Sequence, residues 1–128
     1  RVLFHGIRVK PGMPTMLSVV EDIPVLSLSG NPFAVAALFE LLVGGYLADR
    51  AEEVYIQKKE TKVLRQTFVK TGKPKRIVKG KCDEEGVFLP QIQRNGQLKN
   101  GIGSNCLVVF PEGERTYPEG EKVQVIRI

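Results

Sequence analysis

Apolar and polar positions change rhythm near residue 50. Residues 2–9 alternate as a strand does, residues 15–20 form a second apolar run, and residues 25–28 form a third, shorter one. The rigid turn Lys10-Pro11-Gly12-Met13-Pro14 separates the first two, Asp22 and Pro24 punctuate the next gap, and Ser29-Gly30-Asn31-Pro32 ends the third. From residue 33 to 47 the apolar residues fall at helical spacing, as in Phe33, Ala36, Ala37 and Leu41, which predicts a helix. Asn31 supplies a good N-cap, and Pro32 occupies the first turn, where its missing N–H is harmless. Gly44-Gly45 weakens the end of that helix.

After Arg50 short β-like segments follow one another: 53–57, 63–70, 76–81, 87–93, 105–110 and 122–128. Thr71-Gly72-Lys73-Pro74, Asp83-Glu84-Glu85-Gly86, Arg94-Asn95-Gly96 and the stretch 111–120 supply the turns, and Asp83-Glu84-Glu85-Gly86 predicts a hairpin. Residues 98–104, with two glycines, read as an irregular connector. The expected architecture is an α/β fragment of three strands and one helix over residues 1–50, followed by a small all-β barrel over residues 51–128. Three strands and one helix leave a sheet face and an edge open, so either a second copy or further residues upstream must cover them. The first strand is already under way at Val2, which favours residues upstream and the expectation that the chain is a piece of something longer.

Composition narrows the function classes. The chain has 128 residues, 42% of them hydrophobic, enough to bury a core. No apolar run approaches the roughly 20 residues of a membrane span, so no membrane association is expected. Cys82 and Cys106 stand at no metal-ligand spacing and His5 is the only histidine, which argues against a Cys/His zinc site and a disulfide scaffold. His5 reads as a strand-face residue. Two reduced cysteines without a secretory leader suit a cytoplasmic protein.

Charge adds a further constraint. Residues 1–50 hold four basic side chains (Arg1, Arg8, Lys10, Arg50) and four acidic ones (Glu21, Asp22, Glu40, Asp49), so the net charge of +5 belongs to residues 51–128. Ten Lys and Arg fall within residues 58–81, opposed only by Glu60. Such a field favours anionic partners, either nucleic acid or phosphorylated ligands, or simply gives the strands their polar face. Phe68 is the only aromatic residue in that stretch and the chain has no Trp, so a base-stacking platform is thin and no nucleic acid is expected.

Two local motifs could carry chemistry. In Ser29-Gly30-Asn31-Pro32, between a strand and a helix, Gly30 permits close backbone approach to a ligand and the helix start presents unpaired N–H groups. The same residues equally make a turn that needed a glycine and a cap. In the 10–14 loop, Lys10 could present an ammonium to an anion held at the Asn31 corner, or could be an ordinary solvated lysine.

Taken in order, these residues resemble a known family. The stretch RVLFHGIRVKPGMPTM, followed by IPVLSLSGNPFAVAALFELLV, resembles the C-terminal half of the molybdopterin-binding domain in the molybdopterin molybdotransferase (MoeA) family. There a strand leads to KPGKP, a second strand follows, and LPGNP opens a helix. The tail NCLVVFPEGERTYPEGEKVQVIRI is similar to the last strands of that family's C-terminal β-barrel domain. The resemblance implies molybdenum cofactor biosynthesis: adenylylated molybdopterin is cleaved with release of AMP in the presence of Mg2+, and molybdate is inserted as the second substrate. It places Lys10, Gly12 and Pro14 on KPGKP, and Gly30, Asn31 and Pro32 on the Gly-Asn-Pro corner. The implied roles are Lys10 on a phosphate or on molybdate, and the corner cradling the pterin-phosphate end. Arg94 and Asn95 fall where the family has Gly-Ser facing the cleft. A homodimeric parent is also implied.

The departures limit what this chain can do. Met13 replaces the second lysine of KPGKP and cannot bind an oxyanion, and Ser29 replaces the proline before Gly-Asn-Pro. The family's Gly-Gly-Val-Ser-x-Gly-Asp segment is absent, and its metal-binding carboxylates are expected outside this chain. No catalytic residue is assigned, and the 128 residues alone are expected to be inactive. A non-catalytic scaffold or partner-binding module is the competing expectation, and a basic nucleic-acid-binding barrel a weaker one.

Overall fold

The computed structural model describes residues 1–50, 58–90 and 103–128. It is mostly sheet, with one continuous helical stretch. β1 (Val2–His5), β3 (Met16–Val20) and β4 (Ile23–Ser27) form an antiparallel meander in the order β1-β3-β4. Glu21 and Asp22, at φ 49° and 64°, make the two-residue turn between β3 and β4, the type I′ geometry that matches strand twist. The strand expected over residues 2–9 ends early. Gly6 turns the backbone at φ +92°, its N–H bonding to the Thr15 carbonyl, and Ile7 N–H bonds to the Met13 carbonyl. Val9–Lys10 (β2) then leaves the meander for a different sheet.

That larger sheet runs β2-β7-β9-β11-β5. Its members are β5 (Lys59–Val63), β7 (Lys75–Cys82), β9 (Cys106–Phe110) and β11 (Lys122–Arg127), with the short β8 (Val87–Phe88) paired to β7. All contacts are antiparallel except β2 with β7, which is parallel. The expected 83–86 hairpin is present between β7 and β8, closed by Asp83 N–H on the Gly86 carbonyl at 3.0 Å. β6 (Phe68–Lys70) and β10 (Arg115–Tyr117) form a separate two-stranded sheet. The single strand expected over residues 63–70 is therefore two, and β10 lies inside a stretch that reads only as turns. A lone parallel bridge from Leu64 to Val87 joins the end of β5 to β8. Among the described residues no continuous ladder closes these sheets into the expected barrel. Residues 53–57, 91–93 and 98–102 lie outside the described residues.

The helix begins where its cap requires and ends later than expected. α1 (Pro32–Leu38) passes through a wide π-helical turn (Phe39–Gly44) into α2 (Gly45–Arg50). Gly44-Gly45 does not end it. Burial of Ala34, Ala37 and Leu38, with Ala37 packed against Ile77 and Leu107 of the sheet, outweighs the roughly 1 kcal/mol that each glycine withholds.

Apolar alternation along β9 fills two clusters. All five of its residues are buried, because both faces of the strand are covered. Cys106, Val108 and Phe110 join Leu64, Val78 and Val125 on one face. Leu107 and Val109 join Ile77, Ile126 and Ala37 on the other, with Val9, Phe33 and Leu41 packed at its edge. Residues before and after position 50 thus share one apolar layer. The β1-β3-β4 meander is far more open, and Val2, Val20 and Ile23 are each more than half exposed.

Cys82 and Cys106 are free, buried and side by side. Burial, reinforced by the adjacent Cys82 thiol, pushes the Cys106 thiol up to about 12 from an ordinary 9.0. Between these values the unfolded chain has lost a proton that the folded chain keeps, so stability falls as pH rises through that window and is unaffected by this group below it. Chemical denaturation measured from pH 8 to pH 11 should show that decline, and a Cys106→Ala variant should show a shallower one. Equal slopes would rule out Cys106 as the source.

Candidate functional site

The Asn31 corner is set by capping. Asn31 holds extended backbone angles, φ −74° and ψ 118°, and its Oδ1 accepts from Ala34 N–H at 3.1 Å. Its own N–H reaches the Ser29 hydroxyl at 3.4 Å. The Asn31 acceptor oxygen is thus occupied by the helix. Gly30 is exposed, and a Cβ added there would meet nothing within 4 Å. Packing against the described residues does not require glycine at that place and leaves open space beside the backbone. Pro32 opens onto an apolar hollow of about 690 Å3 shared with Phe33, Val35, Phe39 and Leu107.

The 10–14 loop has a different anatomy. Pro11 and Gly12 are buried, while Lys10, Met13 and Pro14 are exposed. Gly12, at φ +110°, lies so close to α1 that a Cβ there would fall 2.2 Å from Leu38 Cδ1. The glycine therefore seats the loop on the helix. Buried Thr15 locks the arrangement, its hydroxyl donating to the Gly12 carbonyl at 2.7 Å. Leu38 lies seven residues beyond Asn31, about 10 Å along a helix axis. The loop and the corner thus meet the same helix at different levels, with no hydrogen bond or ion pair between them.

Lys10 instead faces residues far along the chain. β2 pairs in parallel with β7 so that Lys10 lies opposite Arg76. Both line an open cleft of about 200 Å3 together with Met13, Thr71, Gly72 and Pro74. Arg76 donates to the Thr71 carbonyl at 3.2 Å. Beneath the turn Lys70 is buried, its ammonium donating to the carbonyls of Gly72 at 2.8 Å and Gly113 at 2.6 Å. Sequence reasoning missed Arg76 and Lys70 as members of this surface, because Thr71-Gly72-Lys73-Pro74 reads as punctuation between strands. The dense positive charge over residues 58–81 was the available signal. Arg94 and Asn95 lie outside the described residues.

Among the described residues no group of three or more His, Cys, Asp or Glu could hold a metal ion. Nor is any helix there long and apolar enough to cross a membrane. What the described residues of this cleft offer is positive charge for binding an anion.

Comparison with known proteins gives a consistent result. Residues 63–128 match the family described as the MoeA C-terminal region (domain IV). Over 124 residues the chain is 32% identical to a putative molybdopterin biosynthesis protein of Methanocaldococcus jannaschii, covering 97% of this chain and 29% of that protein. It is 28% identical over 132 residues to a molybdopterin molybdenumtransferase of Bacillus subtilis, covering 99% of this chain and 31% of that one. A crystal structure of a molybdopterin biosynthesis moeA protein from Pyrococcus horikoshii superposes with a TM-score of 0.84 at 26% identity, over 100% of this chain and 33% of that one. A molybdenum cofactor biosynthesis protein from Pyrococcus furiosus gives 0.82 at 27% identity, over 100% of this chain and 46% of that one. The chain spans less than a third of the length of these two curated relatives.

Proposed function

This chain belongs to the MoeA family, whose C-terminal region it matches, and on that footing we propose that it is the C-terminal part of a molybdopterin molybdenumtransferase. The parent enzyme inserts molybdate into adenylylated molybdopterin and releases AMP, and this part contributes anion binding. The observation that carries the reading is the position of Lys10. Among the described residues its ammonium pairs with no carboxylate, and it stands in an open cleft on a strand held by pairing to β7. There it can take a phosphate oxygen or molybdate as a point charge. The Gly30-Asn31-Pro32 corner receives the pterin-phosphate end, supported by the open space at Gly30 and the capped helix start. Gly12 and Pro14 shape the loop, and Arg94 and Asn95 are assigned to the cleft by their place in the family pattern alone. Mg2+ belongs to carboxylates outside this chain. A homodimeric, cytoplasmic parent fits the same reading.

The test uses the full-length parent. Lys10→Ala should weaken binding of adenylylated molybdopterin by about tenfold, the worth of one charge-assisted contact. The isolated 128 residues should release no AMP. Unchanged affinity in Lys10→Ala, or AMP release by the isolated chain, would overturn the assignment.

A further inference from the structure

Two thiols with no part in anion binding face each other inside the larger sheet. Cys82 ends β7 and Cys106 opens β9, and both are buried in the apolar cluster that also holds Val78, Val87 and Val108. Neither is in a disulfide, and the two thiol groups are hydrogen-bonded to each other. Their placement is fixed by the residues around them. Asn105, the neighbour of Cys106, grips the backbone of Cys82 on both sides: its Oδ1 accepts from Cys82 N–H and its Nδ2 donates to the Cys82 carbonyl, each at 2.8 Å. Gly80 leaves room for the sulfur of Cys106, because a Cβ there would lie 3.0 Å from it. The register makes the pair diagonal, since Cys106 stands opposite Gly80, two residues before Cys82. Diagonal neighbours are roughly 7–8 Å apart at the backbone. A disulfide needs Cα atoms within about 7 Å and sulfurs at about 2.05 Å, so a direct bond would drag the strands together. Two metal–sulfur bonds of about 2.3 Å each suit thiols that meet only at their sulfur ends.

We propose that Cys82 and Cys106 form a two-coordinate site for a soft monovalent cation, Cu(I), with Ag(I) as its redox-inert analogue. Thiolate sulfur selects such ions, whereas Zn2+ in a structural site takes four ligands and hard cations take oxygen. Among the described residues no third His, Cys, Asp or Glu joins the pair as a ligand. Binding replaces two S–H bonds by two S–Cu bonds. Each sulfur keeps the electron pair of its S–H bond and donates it to the ion, two protons pass to solvent, and no group is oxidised or reduced. The bound unit carries one negative charge, which Arg127 offsets. Arg127 is the register partner of Cys106 on β11, and a terminal guanidinium nitrogen donates to the Cys82 carbonyl at 3.2 Å while its Nε donates to Glu60 at 3.3 Å. The ion enters beside β8, which is held to the end of β7 by two register pairs, one of them Val87 with Cys82. An element held by so little opens readily.

Anaerobic titration of the full 128-residue chain with Cu(I), in competition with a chromogenic Cu(I) chelator, tests this. One ion should bind per chain, with two protons released and the sheet signal in circular dichroism kept. Ag(I) should bind with the same stoichiometry, and Zn2+ should not compete. The bound ion should raise the unfolding temperature, because it fastens β7 to β9 in the folded chain. Cys82→Ser and Cys106→Ser should each weaken binding by about a hundredfold, since each removes one of two ligands. If Cys106→Ser does not fold, Cys82→Ala, at the end of β7, carries the same test. Arg127→Gln should weaken binding by about tenfold, and Arg127→Lys should keep most of the affinity. Unchanged affinity in Arg127→Gln overturns the charge role of Arg127 alone. Binding that survives in the double variant Cys82→Ala with Cys106→Ala overturns the site, as does no binding at all. Loss of the sheet signal on binding, or displacement of Cu(I) by Zn2+, overturns it as well, because the ligands then lie elsewhere or form only on unfolding. None of these results bears on the anion binding assigned to Lys10.

Discussion

Replacing Phe110 by alanine is expected to destabilise the fold by about 4 kcal/mol, the usual cost of removing a large buried ring. The side chain is fully buried at the end of β9. It stacks on Phe68 with ring centroids 4.4 Å apart, and meets Tyr117 tilted at 4.8 Å. Phe68 lies on β6 and Tyr117 on β10, so this one ring fastens the two-stranded sheet to the larger one. Each aromatic contact adds roughly 1 kcal/mol beyond the area it buries. Phe110 is also the register partner of Arg76 across β7 and β9, so the same ring steadies that strand. Urea denaturation should show the loss, and Phe110→Leu should recover more than half of it by keeping most of the volume. A loss under 1 kcal/mol for the alanine variant would mean that the trio does not anchor the sheet.

Gly12→Ala should cost about 3 kcal/mol, through strain at a positive φ together with overpacking against Leu38. The added methyl would lie 2.2 Å from Leu38 Cδ1 and 3.0 Å from its Cγ, and Leu38 has no free space because it is fully buried. Either the loop lifts from α1 or the leucine is displaced. Lifting the loop pulls on Lys10, two residues earlier, so oxyanion affinity should fall together with stability. A double-mutant cycle with Leu38→Ala separates the two causes. The methyl then enters the space the leucine vacated, and the double variant should lose clearly less than the sum of the single ones. Strict additivity would show that backbone strain at Gly12, not contact with Leu38, sets the cost.

Gly12 also shows how a motif can be found by sequence and explained by structure. The sequence marks it as part of a rigid turn and, through the family resemblance, as part of an anion site. The contact with Leu38 adds a packing role: the glycine seats on the helix the loop that carries Lys10. Gly30 goes the other way. Among the described residues nothing would meet a Cβ added there, so packing against them does not account for the glycine. The wide turn over Phe39–Gly44 and the early end of β1 were not legible, because each depends on which surface the segment packs against.

What the sequence determined by itself is local. Asn31 and Pro32 set the helix start, residues 83–86 set a hairpin, and the apolar runs set the buried strands, since each acts through neighbours a few residues away. Only the tertiary structure decided which strand β2 would join, and with it the pairing of Lys10 with Arg76. That pairing is non-local and parallel, and it forms because β2 leaves the exposed meander for the edge of a sheet whose outer face α1 already covers. No pattern in either segment alone encodes the partner; the shared apolar layer between them selects it.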